Sequence, residues 1–162
     1  MKNLILIRHG KSSWETASGD FGRPLASRGI ADIELVAKAS ISHLPSDFQI
    51  FSSPARRAKQ TAILYATAIS YSPDNITFLE DLYTFNASTL ELVIKDFDDR
   101  FANVILFGHN EAITNFVNKF GNIYIDNVPT SGFVPLTFDI LKWRALTKGS
   151  TGTVIFPTDL KQ

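Results

Sequence analysis

The sequence predicts an α/β layer architecture, and three observations predict it. Strand-like apolar runs alternate with helix-like amphipathic stretches along the chain. No repeat, low-complexity segment or linker interrupts that alternation. Two runs, Leu4-Ile5-Leu6-Ile7 and Val104-Ile105-Leu106-Phe107, are apolar at every position, as buried strands are. They end in Arg8-His9-Gly10 and Gly108-His109-Asn110, at the strand tips where α/β proteins place their chemistry.

Taken in order, residues 3–8 read as the first strand. A polar loop follows over roughly residues 10–27, with Gly19, Asp20, Gly22 and an Arg23-Pro24-Leu25 turn. Residues 29–43 read as a helix with Ile30, Ile33 and Ala37 on one face, and Pro45 marks its exit. Residues 48–52 form a short strand. Ser53-Pro54 then supplies an N-cap and first-turn pair for a helix over 54–69. Ala58, Ala62, Tyr65 and Ile69 share its apolar face. Arg57 falls at the border of that face and Arg56 on the solvent side, so Arg57 is the one placed to enter a site.

Residues 76–79 fit a short strand, and Ser88-Thr89-Leu90-Glu91 reads as a capping box. Behind it Leu90, Val93, Ile94 and Phe97 keep helical spacing. Residues 102–107 form a central strand. The next helix, 110–120, aligns Ile113, Phe116, Val117 and Phe120, and Gly121 ends it. Strands at 133–139 and 153–156 complete the chain, with Pro135 placing the first near an edge or bulge.

Composition bounds the function. The chain has 162 residues, 44% hydrophobic and 20% charged, with a formal net charge of +0, which suits one domain spanning residues 1–162. Balanced charge argues against nucleic-acid or anionic-membrane partners. No apolar run approaches the roughly 20 residues that span a bilayer. The first apolar segment runs straight into Arg8 and His9, unlike a signal peptide, so the cytoplasm is expected. With no cysteine, disulfides, thiolate catalysis and zinc-thiolate sites are excluded. No His-x-x-x-His or similar pattern suggests a metal.

Two histidines and two arginines at strand ends suggest a site for a phosphoryl group. Arg8 and Arg57 offer bidentate donors that match phosphoryl oxygens, a geometry lysine lacks. His109 precedes a helix, whose free N–H groups favour an anion. His9 is the natural nucleophile, because a neutral imidazole nitrogen can attack phosphorus. Nearby arginines disfavour its cationic form. Gly10 lets the backbone approach a ligand.

These segments resemble the three signatures of the histidine phosphatase (phosphoglycerate mutase-like) superfamily. They are Arg8-His9-Gly10, Ser53-Pro54-Ala55-Arg56-Arg57-Ala58-Lys59-Gln60-Thr61-Ala62 and Gly108-His109-Asn110. The stretches from Arg8 to Trp14, Asp20 to Leu25 and Arg28-Gly29 narrow the likeness to the short SixA-type phosphohistidine phosphatases. It runs from Met1 through Val128-Pro129-Thr130 and Phe138-Asp139.

The resemblance implies a three-layer, mainly parallel β-sheet flanked by helices. It implies His9 as nucleophile, with Arg8, Arg57 and His109 completing the phosphate pocket and Ser12 assisting through its hydroxyl. Where the broader family often has Asn, this chain has Glu15, which would repel phosphate and receives no binding role. Larger relatives take a leaving-group acid from a Glu after the second helix. Here Glu80-Asp81-Leu82-Tyr83 offers Asp81 as the best match, although short members need no such acid. Arg23 and Arg28 either extend the positive field or are solvated, and His43 is structural.

The expected activity is a metal-independent phosphatase with a phosphohistidine intermediate, acting on phosphohistidine in a protein. The alternatives are a small-molecule phosphomonoesterase and a non-catalytic phospho-binding module. No cofactor is expected, and the partner is a phosphorylated protein or small phosphorylated substrate. The oligomeric state stays open.

Overall fold

The computed structural model describes residues 1–14 and 19–161. Six strands are present among them: β1 (Lys2–Arg8), β2 (Gln49–Ser52), β3 (Thr77–Phe78), β4 (Asn103–Gly108), β5 (Phe133–Phe138) and β6 (Ser150–Thr151). They form one sheet in the order β3-β2-β4-β1-β5-β6. The β1–β4, β2–β4 and β2–β3 pairs are parallel, whereas β5 runs antiparallel to both β1 and β6. The sheet is therefore mixed, with a parallel half that carries the strand tips noted above.

Helices α1 (Ser27–Ser40) and α2 (Arg56–Ala68) cover one face. Helices α3 (Ala87–Lys95) and α4 (Ala112–Phe120) cover the other, and a short α5 (Pro157–Leu160) packs on α1. Successive strand residues alternate between these layers. Ile5, Ile7, Ile105 and Phe107 pack with Ile33, Val36, Ala62 and Tyr65. Leu4, Leu6, Val104 and Leu106 pack with Leu90, Ile94, Ile113 and Phe116. Because both faces are covered, β1 and β4 needed uninterrupted apolar sequence. Their C-terminal ends lie side by side with Arg8 opposite Gly108. The chain leaves β1 for α1 on one face and β4 for α4 on the other, which opens a crevice between the two tips.

Several boundaries differ from the sequence expectation, each for a local reason. Ile30 is 41% exposed, while Ile33, Val36 and Ala37 are fully buried, so the face of α1 is rotated from the one expected. The cap of α3 is Asn86, whose Oδ1 accepts from Ser88 N at 2.7 Å. The expected capping box is absent because the helix already begins at Ala87, which puts Ser88 inside it, and Glu91 pairs with Lys95 and Lys119. Gly121 does cap α4, but in an extended conformation. The final strand lies at Ser150–Thr151, and residues 153–156 contribute only a bridge between Ile155 and Phe133. β6 pairs with Leu136 and Thr137, and Pro135, which has no N–H to donate, still accepts from Gly152 N at 2.9 Å on this outer side of β5. Among the described residues no helix is long and apolar enough to cross a membrane.

Candidate active site

Backbone hydrogen bonds seat the first tip before any side chain acts. His9 N donates to Gly108 O at 3.0 Å, tying the two strand ends together. Ser131 N donates to Arg8 O and His9 O from the other side. Helix α2 completes the clamp: Thr61 Oγ1 accepts from Gly10 N at 2.9 Å, and Gln60 Oε1 accepts from Leu25 N at 2.7 Å. A Cβ on Gly10 would lie 3.1 Å from Gly29 O and 3.2 Å from Leu25 and Ser131. A side chain at Gly10 would force these neighbours to give by a few tenths of an ångström, so packing within the protein favours glycine there in addition to the ligand approach expected. Gly29 has the same role, since a Cβ there would meet Lys11 O at 2.2 Å.

Arg8, His9, Arg57 and His109 come together at the crevice. The His9 and His109 rings lie 5.2 Å apart between centroids. Arg57, only 1% exposed, directs its Nε–H at His9 Nε2 over 3.3 Å. Arg8 Nη1 donates to Val128 O at 3.0 Å, leaving its buried Nε without a protein partner. His9 Nδ1 lies 2.7 Å from Gly10 O. A carbonyl can only accept, so Nδ1 carries the proton and the neutral ring keeps a lone pair on Nε2.

His109 is held differently. Its Nε2 meets Ser53 Oγ at 2.8 Å, and its Nδ1 is buried without a partner. Ser53 is therefore not the cap of α2; that position is Ala55, with Ser53 Oγ accepting Ala55 N at 3.2 Å. The start of α4 offers less to an anion than the sequence suggested. Ile113 N already donates to His109 O and Thr114 N to Asn110 Oδ1.

Burial is the largest cause of the histidines' electrostatic state. It pushes His9 from 6.5 down to about 3, with Arg57, Arg8 and Arg23 adding to the shift against the Gly10 hydrogen bond. His109 is also lowered to about 3, first by burial and then by His9, Arg57 and Arg8, against the pull of Asp20. Both rings are neutral near pH 7. The sequence reading credited the arginines alone; enclosure does more.

Other expected residues fall into distinct places. Ser12 Oγ accepts from Arg23 Nη1 at 2.6 Å and makes no hydrogen bond with the four. Arg23 belongs to the site: it is 8% exposed and lies with Cζ 3.6 Å from the Trp14 ring centroid. Arg28 does not, being paired with Asp32 along α1 at 3.4 Å. Arg56 is exposed, as expected for the solvent side. Glu15 lies outside the described residues. Asp81 is not brought to the histidines. It is exposed in a 3₁₀ turn, Glu80–Leu82, on a groove of about 630 Å³ lined also by Leu79, Leu92 and Phe97.

Two residues without an expected role stand at the mouth instead. Asp20 Oδ2 accepts from Arg57 Nη2 at 3.1 Å, while its main-chain oxygen accepts from Arg57 Nη1 at 2.6 Å. The Tyr83 hydroxyl donates to the same Oδ2, and the Tyr83 ring packs edge-on against His109 at 5.3 Å. Phe21 and Phe85 flank Tyr83. Asp20 had a signal in the sequence, as the first residue of the Asp20-to-Leu25 stretch that carries the SixA-type resemblance, but that stretch assigned it no role. Among the described residues no group of three or more His, Asp or Glu could hold a metal ion.

The profile of the histidine phosphatase superfamily (branch 1) matches residues 4–103. An uncharacterised chloroplastic protein of Arabidopsis thaliana is 31% identical over 122 residues, covering 68% of this chain and 55% of that protein. The chain thus spans about half of that relative's length. Among solved structures, the protein histidine phosphatase SixA complexed with tungstate superposes with a TM-score of 0.82 at 20% identity, covering 98% of this chain and 99% of the other. A protein from Agrobacterium tumefaciens, described as a candidate phosphohistidine phosphatase SixA, gives 0.70 at 26% identity, covering 83% and 90%.

Proposed function

Because this chain belongs to the histidine phosphatase superfamily, we propose that it is a metal-independent phosphatase acting on phosphohistidine carried by a protein. Reaction begins at His9 Nε2. Its lone pair attacks phosphorus, the bond from phosphorus to the leaving group breaks, and a phosphohistidine forms. Water then attacks that phosphorus, and the P–N bond returns its electron pair to His9. Arg8 and Arg57 neutralise the phosphoryl oxygens. With Ser53 donating to Nε2, the neutral His109 ring has its Nδ1 proton free for one of those oxygens. Ser12 acts through Arg23, which adds a third positive charge without a metal.

The observation that carries this function is the fixed tautomer of His9. Its Nδ1–H is held on Gly10 O, and its nucleophilic nitrogen faces Arg57. Ionisation to about 3 keeps that nitrogen unprotonated across the neutral range. The known oxyanion complex of the SixA fold, with tungstate, fits a pocket for a tetrahedral anion.

Support for a protein-borne substrate comes from the mouth. Only residues 79–86 lie between β3 and α3, too few for a helical lid, and Trp14, Phe21 and Phe85 are 74%, 49% and 52% exposed. A phosphorylated side chain on a folded surface can reach such a site. Turnover of a phosphohistidine peptide and of p-nitrophenyl phosphate tests it: kcat/KM should favour the peptide, and an equal or higher value for the ester would select the small-molecule phosphomonoesterase. A protein that binds the phosphopeptide but releases no phosphate would be a binding module.

A further inference from the structure

We propose that Asp20 is the proton donor to the leaving group, and that it becomes an acid when the incoming phosphoryl group takes Arg57 from it. The proposal rests on the phosphoryl-transfer function above and names the group that Asp81 was expected to supply.

Placement comes first. Asp20 is joined to each histidine through one intermediary. Arg57 binds Asp20 Oδ2 at 3.1 Å with one nitrogen and reaches His9 Nε2 at 3.3 Å with another. Tyr83 donates to Asp20 Oδ2 and lays its ring against His109. The carboxylate therefore stands one residue removed from each ring, on an exposed side of the crevice that a leaving group could use. Among the described residues its other oxygen has one hydrogen bond, a long one from Arg23 at 3.4 Å. The side chain is 44% exposed, so solvent protons reach it. Asp81 has no hydrogen bond or ion pair with any of these residues.

Charge supplies the switch. In the free protein both Nη groups of Arg57 rest on Asp20, on its main-chain and side-chain oxygens. A phosphoryl group that uses this end of the guanidinium competes with the carboxylate for it. Burial alone would raise the Asp20 pKa, but hydrogen bonds from Tyr83 and Arg57 and the charge of Arg57 outweigh it and hold the group at about 2. Exchange of the arginine for a neighbouring anion removes the stabilising charge and adds a repelling one, and both changes favour the protonated acid.

In the first step the bond between phosphorus and the leaving oxygen or nitrogen breaks. Its electron pair and the Asp20 carboxyl proton go to the departing atom as the His9 Nε2–phosphorus bond forms. In the second step the Asp20 carboxylate takes a proton from the attacking water. The P–N bond breaks, inorganic phosphate leaves, and Asp20 is again protonated until Arg57 returns to it.

The test compares the parent with Asp20→Asn and Asp81→Asn on phosphate esters of graded leaving-group acidity, from 2,4-dinitrophenyl to alkyl phosphate. For Asp20→Asn, kcat/KM should be retained on the dinitrophenyl ester and fall by ~10²–10⁴ on the alkyl ester. Release of dinitrophenol should show a burst, because hydrolysis of the phosphohistidine slows. Inorganic phosphate should bind more tightly, since Arg57 is freed. Asp81→Asn should change none of these. An equal loss on every ester, or weaker phosphate binding, would overturn the proposal and leave Asp20 as a residue that positions Arg57. Turnover by the parent with no phosphohistidine on His9 would overturn the covalent mechanism as well.

Discussion

The floor of the crevice and its rim are built by opposite means. On the floor, His9, Arg57 and His109 are at least 93% buried, and each hangs from a strand tip or the first turn of a helix. At the rim, Asp20, Trp14 and Phe85 stand on loops and are substantially exposed. Floor groups have fixed partners inside the protein: His9 is held by Gly108 O and Gly10 O, and His109 by the buried Ser53 hydroxyl. Rim groups are held by side chains, through Asp20–Tyr83, Asp20–Arg23 and Arg23–Trp14, and are joined to the floor where Arg57 binds Asp20. A buried scaffold fixes the reacting nitrogen and the tautomer of His9, while an exposed loop can exchange partners with a substrate. The first region holds the nucleophile, and the second, through Asp20 and the aromatic rings, meets the substrate and its leaving group.

That division is broken most severely at His9. His9→Ala should lower phosphate release by ~10³-fold or more, because the covalent step is lost. Circular dichroism should show the fold retained. Arg57→Lys should cost about 10²-fold in kcat/KM, since an ammonium cannot contact His9 and an anion in one plane. Ser53→Ala leaves His109 Nε2 buried without its partner; it should destabilise the protein by about 1–3 kcal/mol in urea unfolding and raise KM for the phosphorylated substrate. Trp14→Ala sharpens the contrast from the other side. Loss of its stacking on Arg23 should cost only about 0.5–1 kcal/mol and leave the His9 step intact.

Acid separates the two regions as well. His9 and His109 have pKa values near 3 in the folded chain against 6.5 unfolded. Below pH 6.5 the unfolded chain therefore binds protons that the folded one refuses. Stability from these rings is full above that pH and falls as pH drops toward 3. Urea midpoints should decline over that window, and His109→Asn should make the decline shallower. Asp20 acts lower: its pKa is depressed from 3.8 to about 2, so its contribution is lost only as pH falls through that range.

The same division decides what was legible in the sequence. Apolar runs four residues long, each ending in a histidine, expose the floor because buried parallel strands and tight tips constrain residue type strongly. Helical phase separated Arg57 from Arg56 correctly: one is buried and the other exposed. The rim left little trace. Asp20 and Tyr83 are 63 positions apart, and an exposed loop carboxylate looks like any solvated charge. Asp81 shows the cost of spacing alone: a 3₁₀ turn carries Tyr83 toward the histidines and Asp81 toward the α3 groove. Ser53 was legible as a polar group at a helix start, yet its hydroxyl serves His109 more than the helix.

Rapid quench of the protein during turnover, followed by mapping of the phosphorylated residue, tests the central claim most directly. The label should be acid-labile, should sit on His9 at Nε2, and should vanish in His9→Ala. Steady phosphate release with no label on that ring, or with an acid-stable label on a serine or threonine, would contradict it.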